Sequence, residues 1–181
     1  MIQILYNLYI KLKILNLMDS IDSINQLNKS DFLSIFGNVF EKTEWIAEKV
    51  FELKPFKNFE DLSSKLLNLY ENCNKEEILL ILNSHPELVV EKMLTNESKS
   101  EQAGANLNEC TLEEFEEFKN LNLEYKKKFG FPFIIAVKGK NKIEILNNFK
   151  KRILNDQENE FKEAKNQVKQ ISTFRLKEIF I

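Results

Sequence analysis

The chain has 181 residues, enough for one ordinary globular domain that buries roughly 70% of the surface its unfolded form exposes. Its 26 Lys and Arg nearly balance 28 Asp and Glu, so no global field favours nucleic acid or an anionic membrane as partner. With only 4 Gly and 3 Pro among abundant Leu, Ile, Lys, Glu and Asn, the composition argues for a mainly helical chain with few tight turns, and the single His and two Cys argue against a zinc site. With the segments taken below, the expected fold is an all-α domain of about eight to ten helices.

The first residues, MIQILYNLYIKLKILNLM, are apolar but interrupted by Lys11 and Lys13. They lack the basic start and small-residue cleavage site of a secretory signal, and the apolar run is too short to span a bilayer. Met18-Asp19-Ser20 reads equally well as a start, which makes 1–17 an extension with helical pattern and 18–181 the domain. From Ser30, read as a cap, Phe32, Leu33, Phe36, Val39 and Phe40 recur at helical spacing around Gly37. Thr43 opens a helix whose expected stripe is Trp45, Ile46, Lys49, Val50 and Leu53, stopped by Pro55. Asn58 and Asn74 cap two more, the first facing inward through Leu62, Leu66, Leu69 and Tyr70.

The second of these runs into Ser84-His85-Pro86. The proline biases His85 out of helical geometry and so sets it at a stiff junction. As the one side chain with an ordinary pKa near neutrality, about 6.5, His85 is the natural proton-transfer group, although a lone histidine is more often ordinary than catalytic. After Pro86 the pattern predicts a short helix, ELVVEKML, then a polar link into SKSEQAG at 98–104. On a helix, Ser98, Glu101 and Gln102 share one face through their three- and four-residue offsets. The same letters form a capping box, in which Ser98 and Glu101 satisfy free amides at a helix start. Gln102 is required by no such box.

Thr111-Leu-Glu-Glu114 is a further capping box. The helix it starts is expected to bury Leu112, Phe115, Phe118, Leu121, Leu123 and Tyr125 before Gly130 ends it. FPFIIAVKGK follows as the only β-like run, with no second strand to pair with it. Residues 131–137 must therefore satisfy their backbone groups in another way, either as a buried connector or by lining a cleft. Two helices complete the chain, from Lys142 and from Gln157, the last being long. In it Phe161, Ala164, Val168, Ile171 and Arg175 follow spacings of 3, 4, 3 and 4, which puts a guanidinium on an apolar stripe. Such a charge needs a partner: a structural Glu, water reached by snorkelling, or an anionic ligand.

These motifs together resemble the 2-oxo-4-hydroxy-4-carboxy-5-ureidoimidazoline (OHCU) decarboxylases. The likeness rests on NVFEKTEWIAEKV at 38–50, HPEL at 85–88, SKSEQAGANL at 98–107, CTLEEF at 110–115, LNLEYKKKFGFPFIIAVKGK at 121–140 and EILNNFKKRILND at 144–156. It implies a dimeric, all-helical enzyme of urate degradation that needs no metal or organic cofactor and forms (S)-allantoin and carbon dioxide. It implies catalytic roles for His85 and Glu101, and substrate contacts from Pro86, Ser98, Gln102, Phe133, Ile134, Ile135 and Arg175. Asn106 departs from the family's usual glycine. The expected place is cytoplasmic or peroxisomal, although Glu178-Ile-Phe-Ile181 is no peroxisomal address. The contrasting reading is a non-catalytic helical interaction module with the same packing.

Overall fold

The computed structural model describes residues 20–89, 96–105 and 107–180. The predicted extension at 1–17 and the departure at Asn106 lie outside them. The chain is all-α, and the described residues contain no β-strand. They pack as two compact units. One holds the described residues up to Asn72 together with 173–180, and the other holds 73–172.

The first unit contains α1 (Ile21–Asn25), α2 (Lys29–Phe36), α3 (Glu44–Phe51) and α4 (Phe59–Glu71). The cap of α2 is Asn28, two residues before the predicted Ser30, and its side chain accepts from the Asp31 amide at 2.9 Å. In α3 the inward residues are Ile46, Ala47 and Val50, while Leu53 falls beyond the helix and is 49% exposed. The predicted stripe was therefore too long at its C-terminal end, where the helix stops at Phe51. Asn58 caps α4 as expected, and Leu62, Leu66 and Tyr70 are buried. The core is aromatic, with Phe32 against Phe36 at 4.7 Å between centroids and Phe40 stacked on Tyr70 at 5.0 Å.

The second unit contains α5 (Lys75–Ser84), α6 (Asn96–Gly104), a 3₁₀ turn at Leu107–Glu109, α7 (Leu112–Phe129), α8 (Lys142–Arg152) and the larger part of α9 (Gln157–Ile179). Full capping boxes start α5 (Asn74 with Glu77), α7 (Thr111 with Glu114) and α8 (Asn141 with Glu144). Gly130, at φ 80°, ends α7 in the left-handed geometry that a side chain disfavours. The face that α7 buries differs from the predicted one. Phe118, Asn122, Tyr125 and Phe129 point inward, whereas Leu112 and Leu123 are 85% and 64% exposed. After Pro86, Glu87–Val89 form a turn rather than the start of the predicted helix, whose remainder lies outside the described residues.

The predicted extended run is buried from Phe131 to Val137. The rings of Phe133 and Phe149 stack at 3.9 Å and 9°, and the Arg152 guanidinium lies 4.5 Å from the Phe133 centroid. Arg152 also donates to the Ile134 carbonyl at 2.7 Å, and the Gln167 side chain accepts from the Ala136 amide at 2.8 Å. Those side chains from α8 and α9 replace the missing neighbouring strand. Arg152 is held in turn by Glu160, which is completely buried. One Glu160 oxygen accepts from Arg152 Nε at 2.9 Å, from Arg152 Nη2 at 2.5 Å and from the Tyr125 hydroxyl, while the other accepts from Asn155 at 2.7 Å. Burial pushes the Tyr125 pKa far above its ordinary value, against the pull of the Arg152 charge, so its hydroxyl remains a donor.

Removing one charge of a buried pair leaves the other without compensation and typically costs about 3–5 kcal/mol. Glu160→Gln is expected to lose a stability in that range, read as a lower urea midpoint at unchanged slope. A shift below about 1 kcal/mol would show that the network does not anchor the unit.

Candidate functional site

Helix α5 buries Ile78, Ile81 and Leu82 and stops at His85, whose φ of −72° and ψ of 141° are the extended geometry that a following proline demands. His85 is 8% exposed. Its Nδ1 lies 2.8 Å from the Ile81 carbonyl oxygen, an atom that can only accept, so Nδ1 carries a proton and donates. In the neutral ring Nε2 is then the basic nitrogen. The helix end thus fixes both the tautomer and the direction of the imidazole, which is what a proton-transfer group needs.

Beyond Pro86 the backbone turns sharply. Val89 adopts φ 53°, a left-handed conformation that is unusual for a β-branched residue and costs roughly 1–2 kcal/mol. Two carboxamides hold it there. Gln102 Oε1 accepts from the Val89 amide at 3.2 Å, and Asn122 Nδ2 donates to the Leu88 carbonyl at 2.9 Å. The N–H and the C=O belong to one peptide group, which is therefore clamped between α6 and α7. Asn122 is 3% exposed, and its Oδ1 has no hydrogen-bond partner among the described residues. An unsatisfied buried acceptor costs about 1–3 kcal/mol.

Helix α6 begins at Asn96, two residues ahead of Ser98, so Ser98 sits inside the first turn instead of capping it. That removes the capping-box reading of Ser98 and Glu101. Ser98 and Gln102 are both buried, one helical turn apart on the same face, and Glu101 beside them is half-buried. Pro86 is half-buried in the loop that Gln102 braces. Phe133, Ile134 and Ile135 are buried in the same unit. Ile134 C=O and Ala136 N–H turn toward α8 and α9.

Arg175 lies in the first unit, 4% exposed. Its Nη2 is 2.8 Å from Glu41 Oε2 and its Nη1 donates to the Asn38 carbonyl at 3.0 Å. Of the readings open from sequence, the structural ion pair is present. Glu41 is completely buried and sits at φ 47°, followed by Lys42 at φ 50°, in a turn tied by the Asn38 side chain to the Lys42 amide at 2.9 Å and by the Thr43 hydroxyl to the Glu41 carbonyl at 2.8 Å. Neither Glu41 nor Asn122 was picked out from sequence. Asn122 had a visible signal, because Phe118, Asn122, Tyr125 and Phe129 follow spacings of 4, 3 and 4, the same argument that singled out Arg175. Burial raises the pKa of the Cys110 thiol, which donates to the Leu107 carbonyl at 3.3 Å, so the setting favours the thiol over the thiolate. A polar depression of about 520 Å³, bordered by Asn148, Lys151 and Lys162 among others, contains none of the predicted site residues.

The chain is thus an all-α domain with a buried histidine of fixed tautomer, followed by a turn braced by an interior carboxamide. The family described as OHCU decarboxylase matches residues 25–177, and the chain belongs to it. It is 39% identical over 163 residues to the uric acid degradation bifunctional protein of Bacillus sp. (strain TB-90), covering 90% of this chain but only 32% of that protein. It is 32% identical over 161 residues to the 2-oxo-4-hydroxy-4-carboxy-5-ureidoimidazoline decarboxylase of Haloferax volcanii, covering 89% of this chain and 96% of that one. The fold matches the crystal structure of OHCU decarboxylase in the presence of (S)-allantoin with a TM-score of 0.67 at 23% identity, over 80% of this chain and 96% of the other.

Arg175→Met should strand the buried Glu41 carboxylate and lower stability by roughly 3–5 kcal/mol. Adding Glu41→Gln should restore part of that loss, and a double-mutant cycle of urea midpoints measures the coupling. Additive losses would refute the pairing.

Proposed function

We propose that this chain decarboxylates 2-oxo-4-hydroxy-4-carboxy-5-ureidoimidazoline to (S)-allantoin and carbon dioxide, with His85 as the proton-transfer residue. The observation that carries the proposal is the buried imidazole anchored through Nδ1 on Ile81, in the turn that Gln102 braces. Membership in the family supports the substrate, and the name of the Bacillus relative supports a place in uric acid degradation. A homodimer, in the cytoplasm or peroxisome, belongs to the same proposal on the strength of the resemblance.

The substrate carries carboxylate and hydroxyl on one ring carbon, next to a carbon–nitrogen double bond. When the carbon–carboxylate bond breaks, its electron pair forms a carbon–carbon double bond and the imine pair moves to nitrogen, which takes a proton. The hydroxyl proton then leaves as the carbonyl forms, and the neighbouring carbon takes a proton. In sum one proton replaces carbon dioxide. The conjugated bond accepts the electrons, so the tasks left to the protein are orientation, charge stabilisation and proton delivery to one face.

His85 would exchange a proton at the hydroxyl-bearing centre through Nε2, with Glu101 as the companion acid–base group. Ser98 and Gln102 would bind ring or ureido atoms beside Pro86. Phe133, Ile134 and Ile135 would border the substrate, partly through their backbones.

His85→Asn should fold normally and lose about 100-fold or more in kcat, as loss of general acid–base catalysis implies. The assay supplies freshly generated substrate and follows the circular dichroism of the allantoin formed. Full stereospecific turnover by the variant would eliminate His85 from proton transfer, and a wild-type chain that forms no (S)-allantoin above the uncatalysed rate would favour the interaction module.

A further inference from the structure

The clamp on the Leu88–Val89 peptide has a chemical direction. Asn122 Nδ2 donates to the carbonyl at one side, and the amide at the other side donates to Gln102 Oε1. A backbone carbonyl can only accept and a backbone N–H can only donate, so both carboxamides are fixed against flipping. Hydrogen bonds in such a chain polarise one another, which strengthens each. With Oε1 committed to Val89, Gln102 turns its NH2 group away from the peptide, and the group it presents elsewhere is a donor.

We propose that Asn122 is a positioning residue that holds the Leu88–Val89 peptide against Gln102 and so directs the Gln102 Nε2 donors at the ligand. The chemistry recognised is an acceptor, a carbonyl or carboxylate oxygen, and not an N–H group. Two observations argue that Asn122 does more than fill space. Its own Oδ1 is buried without a partner among the described residues, which a leucine, branched at Cγ in the same way, would avoid. The peptide it grips also carries the strained Val89 conformation, which persists only where the surroundings impose it. Sequence pattern alone would place an apolar residue between Phe118 and Tyr125. The functional part of the proposal rests on the decarboxylase reading, whereas the clamp itself does not.

The test compares the full-length wild type with Asn122→Leu, which keeps the heavy-atom count and the Cγ branch point and removes the donor. Three quantities are read: kcat and KM from the circular dichroism of allantoin, hydrogen exchange at the Val89 amide, and the thermal midpoint. The expected result is a KM raised about tenfold or more with kcat within about threefold, because the lost interaction is a binding one. Val89 exchange should accelerate at least about tenfold while that of α7 stays as in wild type and the midpoint moves by only a few degrees. An unchanged KM overturns the positioning role, whether or not Val89 exchanges faster. Exchange that accelerates uniformly, with a collapsed midpoint and unaltered KM in the surviving fraction, assigns Asn122 to structure alone. If the wild type itself shows no turnover, the decarboxylase reading fails, and Val89 exchange then decides the clamp: unchanged exchange in the variant overturns it.

Discussion

Every buried backbone N–H and C=O needs a partner, and at several points where this chain leaves the helix inside its units a side chain supplies it. Arg175 takes the Asn38 carbonyl in the first unit. In the second, Asn122 and Gln102 take the two ends of the Leu88–Val89 peptide, and Arg152 and Gln167 take Ile134 and Ala136. Each irregular stretch is thereby locked from a neighbouring helix. A helical protein can in this way present immobile, directed polar groups to a small molecule.

The two arginines that serve this purpose are themselves buried, and each is paired with a carboxylate that is completely buried. A buried ion pair stabilises little beyond what an apolar replacement of equal volume would give, because the desolvation of both partners offsets their attraction. Its contribution here is geometric. Glu160 fixes the guanidinium that lies against Phe133 and donates to Ile134, and an apolar residue at position 152 would leave that carbonyl without a donor. Glu41 does the same for the arginine that reaches Asn38.

Much of this was legible in the letters. Asn58, Asn74 and Thr111 act as caps, Gly130 ends its helix, and Arg175 lies buried on the stripe where spacing put it. The helix class followed from composition, and the extended run at 131–137 stood out because its periodicity changes. What failed did so for identifiable reasons. Leu112 and Leu123 were assigned inward because they are apolar, yet α7 has the register set by Phe118, Tyr125 and Phe129, which bury larger rings. Ser98 read as a cap because Ser-x-x-Glu occurs at helix starts, but the helix already begins at Asn96. Glu41 could not be found by periodicity at all, since it sits in a turn whose left-handed φ values come from the tertiary contacts of its side chain and of Asn38.

The site residues differ from the core in how their polar atoms are divided. In Glu160 both oxygens are bonded within the protein, to Tyr125, Arg152 and Asn155, and the group is closed. In His85 and Gln102 one end is fixed by the backbone, through Ile81 or Val89, and that bond dictates the chemical character of the other end. The imidazole is given a basic Nε2 and the carboxamide a donating Nε2. A proton acceptor and a hydrogen-bond donor are thus each set by a backbone group, one at the end of α5 and one in the turn that follows it. Neither could be read from residue type alone, because histidine and glutamine can each present either face until the fold commits the other.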